Sequence, residues 1–233
     1  MCFSVEIHIT RTEIEERFRR PFKEGSEEFE PRYFFSAFEY PRLPVITQEN
    51  PNNIELLQWG LIPSWVKDID HAQKIRSSTL NARAETLLEK PSFRNSLFNK
   101  RCLVIVHGFF EYHHSDKEKI PYYIKLKNDK PFGIAGIYDF WKINGNDYIK
   151  GFSIITCDAN ELLGKIHNTK KRMPVILPYD VEDEWISYDK TFNNVKHLLK
   201  PIDDNELIAW PINKIDRKNV LSSDLIKPIE KSF

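Results

Sequence analysis

Cys2 directly follows Met1, and a second side chain this small lets the cell's aminopeptidase remove the methionine. Cys2 would then carry a free α-amine beside its thiol. Such a 1,2-aminothiol condenses with an aldehyde to an imine, on which the sulfur closes a five-membered thiazolidine ring. No internal cysteine can do this. A terminal amine titrates near ~8 and an ordinary thiol near ~8.5, so both groups are expected to be nucleophilic at neutral pH without help. The competing reading of Cys2 is a small buried hydrophobe at the start of a strand.

Four further groups of residues could act on such chemistry. In LNARAET, Asn81, Arg83 and Glu85 bring an amide, a guanidinium and a carboxylate to one turn. Asn81 could orient a substrate or the amine and Arg83 could grip a phosphate in bidentate fashion, or the pair could be a helix cap with a solvated arginine. Glu111 ends the apolar run CLVIVHGFF, beside Gly108. If buried there, its carboxyl would have a raised pKa and could move protons near neutrality; if it sits on a rim, it pairs with a lysine. His167 closes ANELLGKIH, five residues before Arg172, amid Lys165, Lys170 and Lys171. This is the densest basic cluster, suited either to phosphates or to solvent, and a histidine at a helix end also serves the helix dipole. Trp59 and Trp65 in QWGLIPSWVKD are either core residues or stacking platforms for unpaired bases. There is no glycine-rich phosphate loop, His-Glu-x-x-His or Gly-x-Ser-x-Gly, so nucleotide-triphosphate and metal-dependent chemistry are not expected, and no metal site or cofactor is assigned.

The elements that must position these residues read as follows. Residues 3 to 9 alternate, with Phe3, Val5, Ile7 and Ile9 on one face of a half-buried strand and Cys2 on the polar side. Thr12 and Glu15 form a capping box for a helix through TEIEERFRR. Strands are expected in RYFFSAF, IELLQWGLI, CLVIVHGFFEY, YYIKL, FGIAGIYDFW, YIKGFSIITC, RMPVILP and ELIAW, and short helices in KPSFRNSLF, DANELLGKIH, VEDEWISY and NVKHLLK. HHSDKEKIP reads as a hairpin tip. Strands in runs, with few helices between, predict an α+β fold: one domain over residues 1–233, with a largely antiparallel twisted sheet or barrel and short peripheral helices. The 233 residues are 41% hydrophobic, enough for a packed core. The 34 basic residues equal the 34 acidic ones, so there is no global field to attract nucleic acid or an anionic membrane, and any such binding must be local. Three scattered cysteines, without a Cys-x-x-Cys pair, favour a reducing cytosol over a disulfide or zinc framework. No segment approaches the about 18 apolar residues of a membrane span, and no secretory leader is evident.

Taken in order, MC, WGLIPSW (59–65), NARAET (81–86), RCLVIVHGFFEY (101–112), ITCDAN (155–160), and IH followed by RMPVIL (172–177) resemble the SRAP family, the SOS-response-associated peptidase-like proteins. The resemblance spans nearly the whole chain. It implies the SRAP fold and covalent capture of abasic sites in single-stranded DNA through a thiazolidine with Cys2, a lyase-type activity in a family named for a peptidase. It assigns Cys2 as nucleophile, Asn81 and Glu111 to orienting the adduct and exchanging its protons, His167 to forming or reversing it, and Arg83 and Arg172 to DNA phosphates. It further implies a cytoplasmic protein that joins the nucleoid on DNA damage, with single-stranded abasic DNA as its partner and no obligate protein partner. The chain departs from the family in having Phe3 and Ser4 where glycine and arginine are usual. It also has NTKK between His167 and Arg172, so that Lys170 or Lys171 could take over the arginine's contact. Two other readings remain: a thiol peptidase acting on its own first bond or on other proteins, with His167 as base, and a non-catalytic single-strand binding module.

Overall fold

A computed structural model describes residues 2–26, 28–116, 118–145 and 147–230. The strands are β1 (Ser4–Ile7), β2 (Arg32–Ser36), β3 (Arg42–Thr47), β4 (Glu55–Trp59), β5 (Asn81–Arg83), β6 (Arg101–Val106), β7 (Gly108–His114), β8 (Lys119–Leu126), β9 (Phe132–Asn144), β10 (Asp147–Asp158), β11 (Arg172–Pro174) and β12 (Leu207–Pro211). Short helices lie outside them: α1 (Arg11–Phe18), α2 (Ile69–Ser78), α3 (Ser96–Asn99), α4 (Glu161–Ile166), α5 (Glu182–Ile186) and α6 (Phe192–Val195). One sheet runs β12-β8-β7-β1-β2, antiparallel throughout. In the other, β10-β4-β3-β6-β9 closes on itself through the β9–β10 ladder, giving a five-stranded barrel. The expected α+β class with an antiparallel sheet and barrel is therefore what forms, with parallel exceptions where β4 and β5 meet β10.

β10 organises the end of the molecule that holds the candidate residues because it changes partners along its length. On one edge β9 pairs as far as Ile154 and β11 takes over at Thr156; on the other, β4 pairs at Gly151 and Phe152 and β5 at Ile154 to Thr156. Asn81 and Arg83 on β5 and Arg172 on β11 are thereby brought together at one end of the barrel.

CLVIVHGFFEY, expected as one strand, is two strands in two sheets. The chain turns at His107, whose N–H bonds to the Glu6 carbonyl at 2.9 Å, so β6 stays in the barrel while β7 joins the five-stranded sheet. Gly108 is needed at this corner, because a Cβ there would strike the ring of Tyr123. β1 also differs from expectation. Pairing with both β2 and β7 buries its polar side as well, Ser4 and Glu6 included, so it is a central strand and not a half-buried one.

Several local readings shift. The capping box of α1 is Thr10 with Glu13, the same spacing two residues earlier than expected. β3 escaped the sequence reading because Pro44 breaks its pattern, yet Pro44 pairs with Leu56 of β4, and the ladder to β6 begins only at Val45. α2 was missed altogether; Asp68 caps it through the N–H of His71 at 2.8 Å. RMPVILP is strand only over Arg172–Pro174, and KPSFRNSLF is helix only over Ser96–Asn99. The HHSDKEKIP tip joins β7 to β8 as expected, its Lys117 lying outside the described residues.

Arg101, fully buried at the start of β6, fastens the barrel to its helices. Its guanidinium donates to the carbonyls of Trp185 (2.7 Å), Leu97 (3.1 Å), Phe98 (3.3 Å), Ser187 (2.8 Å) and Lys190 (2.7 Å). Methionine at this position would remove all of these donors, each bond worth about 1 kcal/mol or more, with the Ser187 carbonyl keeping only Gln48 Nε2 at 3.0 Å. Arg101→Met should therefore lower unfolding stability by roughly 3 kcal/mol or more, as measured by urea denaturation.

Candidate functional site

Cys2 is fully buried at the head of β1. Asn81 Nδ2 donates to its carbonyl oxygen at 2.9 Å, and its own Sγ–H points to the Ser4 carbonyl at 3.7 Å. The β5–β10 register holds Asn81, and its Oδ1 is buried without a hydrogen-bond partner among the described residues. Burial pushes the Cys2 thiol far above the usual cysteine range, and the nearby Glu111 charge adds to this. The expectation of a thiol nucleophilic without help is thus corrected: a desolvated thiol stays protonated at neutral pH. Removal of Met1 concerns a residue outside the described ones.

Glu111, on β7, is buried as the catalytic reading requires and not rim-exposed. Desolvation raises its carboxyl to about 7, so it is part-protonated near neutrality. His167 caps the C-terminus of α4, its N–H bonded to the Leu163 carbonyl at 2.7 Å. Its Nδ1 lies 3.8 Å from Glu111 Oε2 and 2.9 Å from the Arg172 carbonyl oxygen. Because a carbonyl can only accept, Nδ1 carries the proton, which leaves Nε2 as the basic nitrogen. Burial lowers the pKa of His167 and keeps the ring neutral. The structure therefore brings Cys2, Asn81, Glu111 and His167 together from four separate elements.

The DNA-binding assignments divide. Arg83 is 59% exposed, with Glu85 3.9 Å away, and Lys170 and Lys171 are exposed on the loop after α4. Arg172 is not available: it is 3% exposed, and both arms of its guanidinium are taken by Glu85 (2.8 and 2.9 Å), Asp158 (2.8 Å) and the Thr156 carbonyl (2.7 Å). Strand pairing at Asp158–Arg172 and two neighbouring carboxylates turn it inward. Trp59 is likewise excluded, for its ring is wholly buried against Phe152 and its Nε1 donates to the Leu80 carbonyl at 2.8 Å. Trp65, 42% exposed, keeps an accessible face.

The NTKK insertion is a built turn. Asn168 bonds both ways to the backbone of His114 at the end of β7, at 2.8 and 3.0 Å, and the Lys171 N–H returns to the His167 carbonyl at 2.8 Å. The insertion therefore leaves His167 and the Arg172 backbone in contact. Phe3, the departure next to Cys2, packs on Phe38, which is 58% exposed. Sequence reasoning missed Arg76 on α2. Its guanidinium lies over the Tyr40 ring at 3.9 Å, and among the described residues its Nε and Nη2 have no hydrogen-bond partner. An arginine one turn ahead of NARAET was the available signal. A cavity of about 860 Å³ near Phe132, Tyr179 and Ile202 touches none of the four clustered residues.

A buried carboxyl with a raised pKa has a stability signature. The folded state holds Glu111's proton more tightly than the unfolded chain, so its contribution is fully present below the ordinary pKa of 4.5 and is lost as pH rises through about 7. That interval corresponds to roughly 3 kcal/mol. Glu111→Gln should be more stable than the parent at pH 8 by up to about that amount and equal to it at pH 4, as read from urea midpoints at the two pH values.

Three comparisons bear on this geometry. The family model described as SOS response associated peptidase (SRAP) matches residues 1–216. The abasic site processing protein YoqW of Bacillus subtilis is 40% identical over 175 residues, covering 74% of this chain and 75% of that protein. The abasic site processing protein HMCES of Xenopus tropicalis is 32% identical over 180 residues, covering 68% of this chain and 52% of that protein. A crystal structure of a Bacteroides thetaiotaomicron protein superposes with a TM-score of 0.92 at 36% identity, over 98% of this chain and 100% of the other. On the extent of these matches, the chain belongs to the SRAP family.

Proposed function

We propose that this protein processes abasic sites in DNA and that it does so by a covalent link from Cys2. The observation that carries the reading is the convergence on Cys2 of an orienting amide, Asn81, and a buried carboxyl of raised pKa, Glu111, backed by a neutral histidine. The names of its relatives point to the same substrate.

Once Met1 has been removed, the Cys2 amine adds to the aldehyde carbon of the open-chain abasic sugar. The resulting carbinolamine takes a proton from Glu111 and loses water, leaving a protonated imine beside the Glu111 carboxylate. The Cys2 sulfur then bonds to the same carbon while its proton passes to that carboxylate, which restores the Glu111 acid and leaves the ring nitrogen with the proton it already carried. Aldehyde and aminothiol thus become thiazolidine and one water, with no oxidant or cofactor. Ring closure also removes the imine through which β-elimination would cut the strand. A thiolate peptidase needs the opposite of what burial does to this thiol, and that weighs for the aminothiol reading. His167 would exchange protons with the adduct through Nε2 when it forms or reverts. Single-stranded DNA is the form whose sugar reaches a buried cysteine, with Arg83, Lys170, Lys171 and Arg76 meeting its phosphates and Trp65 or Phe38 its bases. The reading also takes residues 1–233 as one domain working in the cytoplasm and joining the nucleoid on damage.

Intact-mass spectrometry tests the link. Protein lacking Met1 and incubated with an abasic single strand should gain the mass of the DNA less one water and keep it on denaturation. Cys102→Ser and Cys157→Ser should behave alike, and Cys2→Ser should form no stable adduct; an undiminished adduct from Cys2→Ser would overturn the mechanism. Glu111→Gln should slow crosslinking about 10²-fold with DNA affinity nearly unchanged. Arg83→Ala should weaken binding to intact and abasic strands alike and reduce the slope of affinity against salt by about one.

A further inference from the structure

Four residues downstream of Cys2, β1 carries a second cluster of chemistry-bearing groups that the aminothiol reaction does not use. The fully buried carboxylate of Glu6 meets a ring nitrogen from each of two histidines: His8 Nδ1 is 2.5 Å from Oε1 and His107 Nδ1 is 3.1 Å from Oε2. One ligand atom from each residue lies within 4.8 Å of the other two. A second layer surrounds the three. The Tyr123 hydroxyl donates to Glu6 Oε2 at 2.6 Å. His107 Nε2 sits 3.2 Å from both the carbonyl oxygen and Oδ1 of Asp129, which Lys125 also grips. His8 stacks on Tyr33 with ring centroids 4.6 Å apart and planes 11° from parallel.

We propose that Glu6, His8 and His107 bind a divalent transition-metal ion, zinc by preference. Two imidazole nitrogens and one carboxylate oxygen form a donor set that suits zinc and leaves a fourth position for water. Zinc bonds of about 2.0–2.1 Å in a tetrahedron place ligand atoms roughly 3.3 Å apart. Glu6 Oε2 already stands at about that spacing from His107 Nδ1, and with one ligand atom of each residue within 4.8 Å of the other two, rotation of His8 brings the third into place. The outer contacts are those that metal sites use: an oxygen acceptor on the far nitrogen of a ligating histidine, here Asp129, and a hydrogen bond to the ligating carboxylate, here from Tyr123. The His8 side chain is 29% exposed, which gives the ion a way in and its water a place. The ion neutralises a carboxylate that has lost its water, and ties β1, the strand behind Cys2, to the chain crossing at His107. Its role is structural, remote from the chemistry at Cys2.

Cobalt(II), titrated into chelator-treated full-length protein without DNA, is the probe. One equivalent should bind with the visible absorption of a tetrahedral nitrogen–oxygen site and without the near-ultraviolet charge-transfer band of a cysteine ligand. Zinc should bleach that spectrum and, at about a hundredfold excess over its Kd, raise Tm by about 5 °C or more. His8→Phe keeps the ring on Tyr33 and removes a ligand, so affinity should fall at least about 100-fold; Asp129→Asn should cost about 10- to 100-fold. The double variant His113→Ala/His114→Ala should bind as the parent does. No tetrahedral spectrum from the unaltered protein, or undiminished affinity in His8→Phe, would overturn the site and leave the cluster a hydrogen-bonded network only. Neither outcome depends on DNA processing.

Discussion

β1 is hydrogen-bonded along both edges, to β2 at Ser4–Ser36 and Val5–Phe35 and to β7 at Val5–Phe109 and Glu6–Gly108. That double ladder fixes the two residues before it, Cys2 and Phe3. A chain terminus ordinarily frays because nothing offsets its conformational entropy. Here the ladder, the Ala37 N–H on the Phe3 carbonyl and the Asn81 amide on the Cys2 carbonyl hold the segment in place. The same close packing strips water from Cys2 and Glu111, so position and proton affinity share one cause. His167 depends on the arrangement at one remove, through α4 and the turn that Asn168 pins to the end of β7.

The residues fell into readable and unreadable sets for physical reasons. Alternation and aromatic runs marked most strands, because those side chains must fill the barrel and the space between sheets. The corner at His107 was hidden: an unbroken apolar run looks the same whether it feeds one sheet or two, and only Gly108 hinted at a bend. β3 was masked by Pro44. α2 was overlooked because it presents little beyond Ala72 to the core. Thr10–Glu13 and Thr12–Glu15 repeat one capping spacing, and only the path of the chain selects between them.

Among the candidate site residues, the clustering of the polar ones was legible, whereas which cations stay free for solvent was legible only in part: Arg83, Lys170 and Lys171 are exposed. Asn81, Glu111 and His167 lie where their motifs suggested. Arg172 does not, because a count of lysines and arginines takes no account of neighbouring carboxylates, and Glu85 and Asp158 neutralise this one from within. Its work is architectural: it joins β11 to the turn after β5, and so to the strand that presents Asn81. Arg76 is the converse, a cation with no carboxylate against it among the described residues and an aromatic ring beneath it.

All three cysteines of this chain are buried, and burial holds each thiol well above its ordinary range. Oxidation to sulfenic acid and exchange with glutathione both proceed through the thiolate and need access to the sulfur. A cell under oxidative attack therefore finds no easy target here. The sulfur at position 2 is thus shielded by the fold from peroxide and mixed-disulfide capture.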